Sequence, residues 1–67
     1  MEFHDDLYWI HFYEEDWRIS SRKRYAGLKW CKDHLEHGTF GMSFWYNTKP
    51  IWFKNKEDAA LFELTWL

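Results

Sequence analysis

Cys31, His34 and His37 stand three residues apart in turn, and their side chains are the ones in this chain best suited to hold a metal ion. Zinc would want four such ligands converging in a tetrahedron, usually drawn from two elements. On one helix the outer two of these three lie about 240° apart around the axis. They therefore do not converge, and His4 or His11 would have to arrive from elsewhere in the fold. No metal site and no cofactor are expected. The acidic residues offer no pair in an apolar surround, and the "HDD" run at His4 to Asp6 is expected to be a mobile terminus. Ser20 and Ser21 suit helix capping better than nucleophilic attack. The three glycines are scattered, so no phosphate-cradling loop exists. No catalytic residue stands out, and the chain is expected not to be an enzyme.

What the sequence does hold in excess is aromatic surface. Six Trp, four Tyr and six Phe make up 24% of 67 residues. Each buried ring removes on the order of 150–250 Å² from water. A domain this small buries only about 60% of the surface of its unfolded chain. Some rings must therefore remain at the surface or be covered by a partner. Charge is segregated as well. Residues 1–16 carry six acids and no Lys or Arg, whereas residues 17–32 carry six bases and no acid. Such blocks can be satisfied within one chain or reciprocally between two copies, and a homodimer is expected. Aromatic residues and arginine dominate interface energetics. The interface candidates are Trp9, Trp45, Arg22, Arg24 and Lys29.

These residues need elements to position them. The stretch from Leu7 to Tyr13 alternates as a strand with apolar or aromatic side chains on both faces. A helix is predicted from about Ser21 to Glu36, capped by Ser20 or Ser21 and ended by Gly38. Tyr25, Leu28, Cys31 or Lys32, and Leu35 would form its inner stripe, with Arg22, Lys29 and Lys32 outside or beside it. Gly27 would mark a close crossing. Thr39 to Tyr46 alternates, placing Phe40, Met42, Phe44 and Tyr46 inward and Gly41, Ser43 and Trp45 outward. A turn at "NTKP" returns the chain through a strand at Ile51 to Lys54. Asn55 then caps a last helix through "KEDAALFEL", although "FELTWL" also alternates as a strand would.

The order β-α-β-β-α predicts one α+β domain over residues 1–67, with a three-stranded antiparallel or mixed sheet and both helices on one face. The third strand would lie between the first and second, as in a ferredoxin-like fold lacking its last strand. The other face would be bare. Trp45 would line it, with either Tyr8 and Phe12 or Trp9 and Tyr13. The first strand would be left as an open edge.

The segment "WFKNKEDAALFELTW" resembles a pattern in small uncharacterised proteins of tailed bacteriophages: an aromatic strand, a polar turn, Asp-Ala, Phe, Leu and a final Trp. The matching positions are Trp52, Phe53, Asp58, Ala59, Phe62, Leu64 and Trp66. The resemblance implies a viral setting, in which a short chain binds host machinery or a host defence protein. The expected function is a non-enzymatic protein-binding module that inhibits such a target. The alternative is a single-stranded nucleic-acid binder that stacks bases on exposed sheet aromatics. There is no signal-peptide pattern and no apolar run of about 20 residues, so a cytoplasmic protein without a membrane partner is expected, in the host cytoplasm if viral.

Overall fold

A computed structural model describes residues 1–12, 17–43 and 50–66. Four strands and two helices follow in the order β1 (Glu2–His4), β2 (Leu7–Ile10), α1 (Trp17–His34), β3 (Phe40–Met42), β4 (Ile51–Phe53) and α2 (Lys56–Trp66). The strands form one antiparallel sheet in the order β1-β2-β4-β3. The α+β class is as the sequence predicts, and β4 lies between β2 and β3 as expected. Among the described residues the strand count is four, not three.

The additional strand comes from the amino-terminal segment that was expected to be mobile. Asp5 and Asp6 take φ values of 55° and 61°. Two successive left-handed residues between paired strands make a tight hairpin turn of the type whose twist matches the strands. Asp tolerates this region better than most residues with a Cβ, which is why the turn forms without glycine. β1 then pairs along β2, Glu2 opposite Trp9 and Phe3 opposite Tyr8. In the full ferredoxin-like order, the position beside the first strand belongs to the last strand. Here β1 fills it, so β2 is central and not the open edge that was expected. The terminal ammonium of Met1 lies 3.4 Å from the Glu63 carboxylate, tying this edge to α2.

Side-chain alternation separates two faces. Tyr8, Ile10, Phe53 and Ile51 point to the helices, joined by Phe40. Ile10, Phe12, Ile51 and Phe53 are buried with Cys31 of α1 and Ala59 and Phe62 of α2. Phe62 is the hub. Its ring meets Phe53 at 5.3 Å, Trp30 at 6.0 Å, Phe12 at 6.1 Å and Trp66 at 6.4 Å between centroids. Each such pair adds about 0.5–1.5 kcal/mol beyond area burial.

α1 differs from expectation in two respects. It starts at Trp17, a turn before the serines, so Ser20 and Ser21 lie inside the helix and do not cap it. Serine is only mildly unfavourable in a helix, so two of them do not compel a start. The inner stripe is also rotated. Arg24, Gly27 and Cys31 are buried, and Leu28 and Leu35 pack at the margin, while Tyr25 is 68% exposed. Gly27 sets this rotation, because the Phe62 ring occupies the space a side chain there would fill. Gly38 does not cap the helix either. With φ of 89° it sits at the third position of a separate turn, closed by the Thr39 amide donating to the Glu36 carbonyl at 3.2 Å. A positive φ at that position is the mark of a type II turn.

α2 runs through Trp66 as a helix, including the stretch that also alternates as a strand. Asn55 precedes it as expected of a cap, its carbonyl accepting from the Ala59 amide and its side-chain amide donating to Asp58 at 3.1 Å. Glu57 and Asp58 lie in the first turn, where the helix dipole favours acids.

Candidate functional site

The face of the sheet opposite the helices holds the outward residues of all four strands. One row crosses it through Glu2, Trp9, Trp52 and Gly41, which are successive cross-strand partners. The two indoles are therefore neighbours on β2 and β4. Each lies down on the sheet for a local reason. The Trp9 Nε1–H donates to the His4 carbonyl at 2.9 Å. The Trp52 ring covers Gly41, where any Cβ would overlap it. Glycine at 41 is thus what lets the indole rest against the backbone of β3.

Beside Trp9 is a small open depression of about 60 Å³ lined by Glu2, His4, Trp9 and His11. The Glu2 carboxylate lies 3.3 Å from His11 Nε2, and Asp5 lies 3.4 Å from His4 Nδ1. Both imidazoles are thus matched to acids, and this end of the face has acidic character. Among the described residues no group of His, Cys, Asp and Glu is arranged to hold a metal ion. Cys31 is buried completely, whereas His34 and His37 are exposed, so those three do not share a site. Burial, followed by the charge of Asp58, pushes the Cys31 thiol up to about 12, and a backbone hydrogen bond opposes the shift. A thiol in that state is not a nucleophile near neutral pH.

The interface candidates fall in different places. Trp9 is on the helix-free face, while Tyr8 and Phe12 turn inward; this resolves the two facings left open by the sequence. Trp45, with Phe44 and Tyr46, lies outside the described residues. Arg22 and Lys29 are exposed on the outer side of α1, away from the sheet. Arg24 is not a surface residue. It is 8% exposed, with its guanidinium 5.8 Å above the Phe12 ring, and it belongs to the packing between α1 and the segment after β2. Trp52 was missed as a partner of Trp9. Its place between Ile51 and Phe53, where strand alternation turns it to the face opposite both, was the available signal.

Comparison with family models, with curated proteins and with solved structures gives no match for this chain. Among the described residues no helix is long and apolar enough to cross a membrane.

Proposed function

We propose that this chain is a small non-enzymatic protein-binding module that docks its partner on the helix-free face of the sheet. The Trp9–Trp52 pair carries this reading. Two large rings lie side by side on a face that no described element covers, each held down by its own contact. Pre-ordered aromatic surface of this kind binds with little loss of side-chain entropy. A second copy of the chain is the simplest partner. The phage-like ending supports a finer reading, in which the partner is a host or antiviral-defence protein in the host cytoplasm and docking inhibits it. Base stacking on the same indoles is disfavoured by charge. Glu2, Asp5 and Asp6 crowd one end of this face, and a phosphodiester chain would meet them first.

Two measurements test the proposal together. Light scattering over a dilution series reads self-association. Affinity capture from a bacterial lysate, with the native chain and a Trp9→Ala, Trp52→Ala chain as baits, reads a foreign partner. Removing both indoles should weaken whichever association is found by about 2 kcal/mol or more and leave the far-ultraviolet circular dichroism unchanged. A monomeric chain whose captured proteins are the same with and without the indoles sinks the reading.

A further inference from the structure

The outer side of α1 is a second surface, independent of the sheet face. Arg18, Arg22, Tyr25, Lys29 and Lys32 follow one another at spacings of four, three, four and three residues, and all are exposed. At 3.6 residues per turn they fall within an arc of about 80°. They run as a single stripe about 21 Å long at 1.5 Å per residue. Among the described residues, Arg22, Lys29 and Lys32 have no carboxylate partner. Tyr25 stands 68% exposed in the middle of the stripe. No acid occupies the first turn of α1. An isolated folded chain gains nothing from this arrangement, since like charges three and four residues apart repel.

We propose that this stripe binds single-stranded nucleic acid, with Arg22, Lys29 and Lys32 tracking phosphates and Tyr25 stacking on a base. Charge complementarity selects a polyanion. The stripe has no aliphatic side chain to form the desolvated centre that a protein interface needs. The one large ring is a tyrosine, and an exposed ring between cations is how single-strand grooves hold bases. A duplex keeps its bases stacked and would leave Tyr25 without a role. Asp33 lies at the carboxyl-terminal margin of the stripe and softens the field of Lys29 and Lys32.

The test is fluorescence anisotropy of a labelled oligothymidylate of about 12 nucleotides, with the full chain, between about 50 and 200 mM salt. Three phosphate contacts predict a slope of log K against log salt of about −2. Lys29→Ala and Arg22→Ala should each reduce that slope by about 0.7. Tyr25→Ala should weaken binding about tenfold or more and leave the slope unchanged. The Trp9→Ala, Trp52→Ala chain should bind the oligonucleotide as the native chain does, which separates this proposal from the one above. Arg22, Tyr25 and Lys29 are exposed, and circular dichroism checks that the variants fold. The proposal is overturned by either of two results: no binding at the lowest salt, or tighter binding of a blunt duplex without dependence on Tyr25.

Discussion

A methyl group at position 27 would lie 2.6 Å from the tip of the Phe62 ring and 2.8 Å from a neighbouring ring carbon. Phe62 is fully buried and wedged among Phe12, Trp30, Phe53 and Trp66, so the ring has nowhere to go. Alanine ordinarily gains about 1 kcal/mol over glycine within a helix. Overpacking a core costs about 1–3 kcal/mol. Gly27→Ala is therefore expected to destabilise by a net of up to about 2 kcal/mol in urea melts. Combining it with Phe62→Leu should cost less than the sum of the two single changes, because the shorter side chain vacates the space. A Gly27→Ala chain that melts higher than the native one would mean that this ring does not press on α1. Arg24 follows the same logic of place. Its charge suggests a surface role, but its position on the Gly27 side of the helix puts it over Phe12.

At the scale of elements, the amino-terminal hairpin decides the edge of the sheet. Its turn needs two residues in the left-handed region, and both are aspartates. The left-handed conformation costs an ordinary L-residue about 1–2 kcal/mol. Asp-Gly is among the preferred pairs for such a turn. Asp6→Gly should stabilise the chain by about 0.5 kcal/mol after its greater unfolded-state entropy is subtracted. Asp6→Val should lose about 1–2 kcal/mol. Thermal melts of the two variants check this, and identical melting temperatures would mean that the hairpin contributes nothing to global stability. Covering β2 with β1 also keeps an aromatic-rich strand from presenting an open ladder to other chains.

For the whole molecule, one buried thiol links stability to alkaline pH. Cys31 has an ordinary value of 9.0 and stands at about 12 in the fold, chiefly because of burial. Above the unfolded value, the unfolded chain releases the proton while the native chain holds it. The stability it contributes is then complete below about pH 9 and lost progressively as pH rises toward 12. Urea melts at rising pH should show the decline. Cys31→Ala should flatten it at a lower starting stability, because that change leaves a cavity. The native chain should also resist thiol reagents at pH 8 and react promptly in urea. Rapid labelling of the native chain, or a decline unaltered by Cys31→Ala, would sink this account. The molecule also separates its two chemistries. Indoles lie on one side of the sheet and the exposed cations of α1 on the other, so a compact partner can engage one surface at a time.

The sequence by itself determined the order of the elements from Leu7 onward and the inward facing of Phe40. It also determined the start of α2 at Asn55 and the acidic and basic blocks. These are local properties: alternation, capping and turn chemistry act over a few residues. Tertiary structure alone decided which face of β2 is the core, since rings line both sides of it and the pattern is degenerate. It also decided the rotation of α1, because the packing of Phe62 against Gly27 outweighs the pull of Tyr25 toward the core. And it decided that Glu2 to His4 would become a strand, because three residues with two charged or polar side chains gain that conformation only when β2 offers its ladder.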